Sequence, residues 1–278
     1  MSAPSATTGT HVDRTLFAHL IGLVERAGQA ILEVYAGDFE VEAKSDGSPL
    51  TLADRRSHEL LVTGLKRLMP GVPVLSEESA DEHPARERAT WSRFWLVDPL
   101  DGTKEFVKRN GEFTVNVALV EDGAPVLGIV YAPVLGTGYA GDASVGEAWR
   151  FDREGERTRV KVAPPTAGVT VAVSRSHAGA ETERYVAALE EHFGKGRRLT
   201  RGSALKACLV AEGTAHYYPR LGPTMAWDTA AAQAVLEAAG GALLRLSGGK
   251  PLRYTLDSLV NPSFVAVYSA DAFLPEVN

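Results

Sequence analysis

Cysteine is nearly absent: Cys208 is the only one in 278 residues. One thiol cannot close an intrachain disulfide, and a zinc site built on cysteines is excluded with it. That usage fits a reducing cytoplasm. Long apolar runs are missing too. No segment reaches the roughly 18 apolar residues that a membrane-spanning helix requires. The opening MSAPSATTGTHVDR lacks a basic stretch followed by an apolar one, so no secretory signal is expected, only a short floppy start. The expected place is the cytoplasm, with peripheral contact at the inner membrane as the alternative. Basic charge is in deficit: 29 Lys and Arg stand against 35 Asp and Glu, a net −6. That is the wrong sign for coating nucleic acid, so any phosphate has to be met locally. The seven histidines are scattered without metal-ligand spacing. Neither a P-loop nor a G-x-S-x-G elbow is present, which removes the common nucleoside triphosphatase and α/β-hydrolase routes.

What is there is ordinary globular stock. Hydrophobic residues at 45% and charged residues at 23% supply a core that stands on packing alone. At roughly 100–200 residues per domain the length suits two. Residues 13–36 carry Leu16, Leu20, Leu23, Val24, Ala27 and Ile31 at helical spacing, with Asp13 as N-cap and Gly37 as stop. A second helix is predicted from Thr51, where Thr51-x-x-Asp54 forms a capping box, to Pro70-Gly71. Val72–Leu75, Phe94–Val97, Thr114–Val120 and Val126–Tyr131 have strand composition, and Glu121-Asp122-Gly123 joins the last two as a hairpin turn. The first half is therefore helices followed by a largely antiparallel sheet. Beyond Pro164-Pro165 the style changes: Val169–Val173, Glu181–His192, Ala204–Ala211 and Thr229–Ala239 alternate strand and helix. The domain boundary is placed near residue 165.

Three stretches carry chemistry. In Phe94–Phe106 an apolar strand runs into Asp98-Pro99-Leu100-Asp101-Gly102 and a helix starts near Thr103. Two carboxylates and a row of free backbone N–H groups then converge at one strand end, which suits Mg²⁺ and phosphate oxygens. The alternative is a pair of turn-forming aspartates, one of them an N-cap. Val74–Ser79 ends a short strand in Glu77 and Glu78, where Glu77 is either a third metal carboxylate or part of a solvated acidic edge. Asp228, at the mouth of the Ala-rich stretch 226–239, is by itself an N-cap.

Taken together, Glu77-Glu78, Asp98-Pro99-Leu100-Asp101-Gly102-Thr103 and Trp227-Asp228 resemble the inositol monophosphatase superfamily of Mg²⁺-dependent, lithium-sensitive phosphatases. Asp98–Phe106, Lys108–Thr114, Ser174-Arg175-Ser176-His177 and Tyr218–Pro223 resemble more narrowly its CysQ branch, the 3′(2′),5′-bisphosphate nucleotidases. The resemblance runs from about residue 15 onward. It implies an α/β fold, the layered αβαβα sandwich: an α+β metal- and phosphate-binding domain over 1–165 and an α/β substrate-binding domain over 166–278. It implies two or three Mg²⁺ ions per site. Glu77, Asp98 and the Leu100 carbonyl would hold one, and Asp98, Asp101 and Asp228 a second, so that the site falls at the junction of the two domains. The implied catalytic residues are Asp54, Thr103 and Glu77, with the Asp54 carboxylate supporting the Thr103 hydroxyl. Asp54 keeps its alternative as the capping-box acid. Mg²⁺ lowers the pKa of a bound water, and a hydroxyl held by a carboxylate can orient that water in line with the P–O bond.

The implied substrate is 3′-phosphoadenosine 5′-phosphate, cut to AMP and phosphate by direct attack of water without a phosphoenzyme, which would clear a by-product of sulfate assimilation or sulfation. Its contacts would be Glu77, Leu100, Asp101, Gly102, Thr103 and Asp228 at the phosphate, with Ser174, His177, Gly202 and Lys206 around the nucleotide. His177 as an exposed loop histidine and Lys206 as a solvated helix lysine stay open, as does Lys44, over the phosphate or in a surface loop. Lys195, Arg197, Arg198 and Arg201 form a further charged loop, left out of the site. Ala204 stands where close relatives carry a second serine. Other readings are an inositol monophosphatase or fructose-1,6-bisphosphatase on the same metal core, and an inactive nucleotide or metal binder. A dinucleotide-binding oxidoreductase is raised by Gly136-Thr137-Gly138-Tyr139-Ala140-Gly141. It lacks the required helix after the glycines, and a hairpin is expected there instead. The oligomeric state is open, with a monomer favoured.

Overall fold

The computed structural model describes residues 14–43, 49–174 and 179–276. Asp13, Lys44 and His177 lie outside them. The chain order is α1 (Arg14–Tyr35), a short antiparallel pair β1 (Glu42–Ala43) and β2 (Pro49–Leu50), α2 (Leu52–Leu68), β3 (Val74–Ser76), a 3-10 segment (Glu77–Glu82), α3 (Ala85–Arg88), β4 (Arg93–Asp101) and α4 (Thr103–Val107). Next come β5 (Thr114–Glu121), β6 (Ala124–Ala132), β7 (Thr137–Asp142), β8 (Glu147–Asp152) and β9 (Arg157–Arg159). Strands β3 to β9 form one seven-stranded sheet in chain order, with β3–β4 parallel and every other pair antiparallel. After it come β10 (Val169–Ser174), α5 (Ala180–Phe193), β11 (Lys195–Arg201), α6 (Leu205–Ala211), β12 (Tyr217–Arg220), α7 (Ala226–Ala238), β13 (Ala242–Arg245) and β14 (Phe264–Val267). Their five strands run in the order β11-β10-β12-β14-β13.

Successive side chains of a strand point to opposite faces, and this explains the layering. Along β4, Trp95 and Val97 pack beneath α1 and α2 with Leu20, Val24, Leu61 and Leu65. Phe94 and Leu96 face the opposite way, toward Leu205, Cys208, Trp227 and Val235 of α6 and α7. The same two helices cover Ala172, Tyr218, Leu243 and Phe264 of the second sheet. Val171, Tyr217, Leu244 and Val265 on its far face meet Tyr185, Val186 and Leu189 of α5. The result is the five-layer αβαβα sandwich. α7 is buried nearly all round, as a helix between two sheets must be, and its alanines follow from that.

The sheet receives α7 through two glycines. A Cβ on Gly128 would lie 2.1 Å from the Ala231 carbonyl oxygen, and one on Gly141 2.5 Å from Val235 Cα. Helix backbone cannot recoil as a side chain can, so Gly128→Ala should destabilise the protein by about 3 kcal/mol. Gly22→Ala, whose nearest neighbour is the tip of Arg26 at 3.5 Å, is the control and should be neutral or better. Equal urea midpoints for the two variants would refute this account of the packing.

From Thr137 on, the G-x-G-x-x-G run lies in β7, which turns into β8 instead of a helix, with the ring of Phe151 over Gly138. The dinucleotide reading has no helix N-terminus to use. The turn at Asp122 and Gly123 has φ of 48° and 76°, both positive as a type I′ hairpin requires. Residues 195–201 are a correction: they form edge strand β11, parallel to β10, not a charged loop. Arg198 is engaged by Glu183 at 2.6 Å and Glu190 at 3.1 Å, and charged side chains on an edge discourage strand pairing between molecules.

Candidate active site

The site starts from an irregularity in β4. Its register with β5 slips between Asp98 and Asp101, and a bulge of this kind re-aims side chains at a strand end. Gly102 follows with φ 93°, a conformation that glycine adopts without strain, and delivers the chain into the five-residue helix α4 at Thr103. Asp98 is 2% exposed, and its Oδ1 accepts the Leu100 N–H at 3.0 Å. Asp228 arrives from the other sheet's side, in the first turn of α7. It is not the N-cap: that place belongs to Met225, and Asp228 Oδ2 accepts the Met225 N–H at 2.8 Å.

Carboxylate oxygens of Asp98, Asp101 and Asp228 lie within 4.8 Å of one another. Burial, and then the charges of Glu77, Asp101 and Asp228, push Asp98 well above the usual carboxylate range. Asp228 is raised for the same reason, burial first and Asp101 next. Ionised acids this crowded call for a cation. The donors are all oxygen, with neither His nor Cys among them, which suits a hard divalent ion such as Mg²⁺. Glu77, at the start of the 3-10 segment, stands outside the tight trio but lines the same cavity.

Asp54 makes hydrogen bonds with both of its oxygens. Its Oδ2 closes the capping box of α2, accepting from the Thr51 N–H at 2.7 Å and the Thr51 hydroxyl at 2.6 Å. Its Oδ1 accepts from the Thr103 hydroxyl at 3.3 Å. Ser57 in the next turn of α2 donates to the Pro99 carbonyl at 2.7 Å, which ties this helix to the acidic loop.

A cavity of about 460 Å³ brings the candidates together: Glu77, Asp98, Leu100, Asp101, Gly102, Thr103, Ser174, Gly202, Lys206 and Asp228 all line it. Lys206 is not a solvated helix lysine. It is buried, its ammonium donates to the Ser203 carbonyl and lies 5.3 Å over the Tyr218 ring, and burial lowers its pKa to about 8. Gly202 is there for lack of space, since a Cβ would meet the Glu112 carbonyl oxygen at 2.6 Å. The sequence reading gave no role to Arg220, Ser203, Thr114 or Asn116. Arg220 ends β12 and lines the cavity, with one amino group on the Pro223 carbonyl at 3.0 Å. Its buried Nε has no hydrogen-bond partner among the described residues. The only signal for it was its place in Tyr218–Pro223.

The chain belongs to the inositol monophosphatase family, whose sequence profile matches residues 13–272. Among curated proteins it is 49% identical over 253 residues to the 3′(2′),5′-bisphosphate nucleotidase CysQ of Escherichia coli K12, covering 88% of this chain and 97% of that one. It is 50% identical over 254 residues to the CysQ of Salmonella typhimurium LT2, with the same coverage. Among solved structures, CysQ from Bacteroides thetaiotaomicron superposes with a TM-score of 0.81 at 38% identity, over 92% of this chain and 98% of the other.

Proposed function

We propose that this protein is a Mg²⁺-dependent 3′(2′),5′-bisphosphate nucleotidase that hydrolyses the 3′-phosphate of 3′-phosphoadenosine 5′-phosphate, leaving AMP and phosphate. One observation carries the choice of substrate: a single cavity is lined by carboxylates suited to metal and, among the described residues, by three cationic side chains, Lys104, Lys206 and Arg220. The carboxylates, with metal, suit the phosphate that leaves, and the cations suit a phosphate that stays, which a monophosphate lacks. A volume near 460 Å³ is in the range for a nucleotide-sized ligand.

In this reading Glu77, Asp98 and the Leu100 carbonyl would hold one ion and Asp98, Asp101 and Asp228 a second, with three per site as the alternative. Bound Mg²⁺ neutralises phosphate charge and acidifies water. The chain supplies the geometry. Asp54 fixes the Thr103 hydroxyl, which accepts a hydrogen bond from the attacking water and holds it in line with the P–O bond. The N–H groups of Gly102 and Thr103 meet the non-bridging oxygens. Ser174, His177, Gly202 and Lys206 surround the nucleotide. The proposed division near residue 165 leaves most metal and phosphate groups before it and the nucleotide contacts after it, with Asp228 of α7 crossing to the metal site. No helix among the described residues is long and apolar enough to cross a membrane.

The test is phosphate release, with Mg²⁺, from 3′-phosphoadenosine 5′-phosphate, inositol 1-phosphate and fructose 1,6-bisphosphate in parallel. The nucleotide should win by at least about tenfold in kcat/KM, the factor of one charge-assisted contact. A preference for either other substrate would overturn the nucleotide assignment. The pH profile adds a check. Lys206 is charged below about 8 and neutral above it, so kcat/KM for the nucleotide should fall as pH rises past that value. Lys206→Met should lose that limb and raise KM, while an unchanged limb would remove Lys206 from the phosphate contacts.

A further inference from the structure

Asp101 differs from the other clustered acids in how one of its oxygens is held. Its Oδ2 accepts from the Ser203 hydroxyl at 2.5 Å, the Ala204 N–H at 2.8 Å and the Asn116 side-chain amide at 3.2 Å. A carboxylate only accepts, so the amide of Asn116 must turn its nitrogen toward Asp101. The Thr114 hydroxyl agrees with that choice, lying 2.8 Å from the amide oxygen to which it donates, and it also touches the Ser203 hydroxyl and lies 3.5 Å from Asp101 Oδ2. Thr114 and Asn116 lie on β5, fully buried, while Ser203 and Ala204 come from the segment between β11 and α6.

Ser203 has φ 53°, in the left-handed region that residues with a Cβ seldom occupy. In that conformation its own hydroxyl and the next N–H bond the same oxygen, while its carbonyl receives the ammonium of Lys206. A strained backbone of this kind persists when its surroundings hold it in place.

We propose that Ser203, backed by Asn116, is a positioning residue that saturates one oxygen of Asp101 and presents the other to the metal. This rests on the metal site described under the proposed function, and it adds that the site's affinity is set partly from the nucleotide side. Hydrogen bonds to a ligand's far atom fix its orientation, and their loss typically costs 10- to 100-fold in metal affinity.

The experiment is calorimetric titration of metal-stripped protein with Mg²⁺, repeated with Mn²⁺, for wild type, Ser203→Ala and Ser203→Gly. Both variants should bind on the order of tenfold more weakly with thermal midpoints close to wild type. Turnover of Ser203→Ala should recover at high Mg²⁺, with the KM for nucleotide little changed. Glycine keeps the left-handed backbone without a hydroxyl, so wild-type affinity in Ser203→Gly would mean that backbone shape alone acts, and would overturn the proposal. So would affinities within about twofold of wild type in both variants, or a wild type that binds neither ion. The titration needs no substrate. A wild type that binds Mg²⁺ without cleaving the nucleotide sinks the proposed activity and leaves the role of Ser203 to the variants.

Discussion

Asp98→Asn should lower kcat/KM on the order of 10⁴-fold, or about 5 kcal/mol of transition-state stabilisation, while making the metal-free protein more stable. Both effects come from one position. Asp98 feels Glu77, Asp101 and Asp228 at once, so in the proposed metal site its charge would serve every ion. Without metal that charge is a liability. Its pKa in the folded protein is raised by burial and by those neighbours, so the folded state binds the proton more tightly than the unfolded chain does. The sign follows: the group's contribution is fully present below its unfolded pKa of about 3.9 and is lost as pH rises through the folded value. In chelator, Asp98→Asn should therefore melt higher than wild type at pH 8, with the gap shrinking toward pH 5. Phosphate release and thermal melts at the two pH values check both halves. Turnover like wild type would sink the metal assignment, and identical melts at both pH values would sink the electrostatic one.

Thr103→Val should reduce kcat by about 10²- to 10³-fold with Mg²⁺ affinity intact, since a positioned proton-transfer partner contributes about that much. Among the described residues the hydroxyl makes two hydrogen bonds, to Asp54 Oδ1 and the Leu100 carbonyl, both at 3.3 Å. Asp54→Asn should cost a similar factor, plus about 1 kcal/mol of stability from the weakened cap of α2. Because the two side chains act as one unit, the double variant should be no slower than the worse single one. Multiplying losses in that cycle would show that they act separately, and a shifted Mg²⁺ titration in Thr103→Val would make the residue structural.

The stretch from Phe94 to Thr103 was legible because strand, turn and helix start each leave a local mark: β-rich composition, Asp-Pro and Asp-Gly, then a residue able to open a helix. Asp54 was legible through its capping box. The missed elements have physical reasons. β11 shows no apolar alternation, since an edge strand carrying Lys195, Arg197, Arg198 and Arg201 puts most of its side chains in water. Pro219 hid β12, yet that strand meets β10 only at Tyr217, and a proline is tolerated where one side of a strand goes unpaired. The clamp on Asp101 left no trace, because it exists only once the fold has brought residues 101, 116 and 203 together. No local pattern encodes a contact across 102 positions.

Because α7 lies between the two sheets, the chain cannot finish its first sheet by itself. A ribosome that has made everything through β9 has completed seven strands and the helices over one face, but nothing for Phe94, Leu96, Ala118 and Val120 on the other. That face waits for α6 and then α7, and its cover is complete only when residue 238 emerges. The helix that then covers it carries Asp228 in its first turn, so the act that shields the nascent core from aggregation also installs the last acid of the cluster.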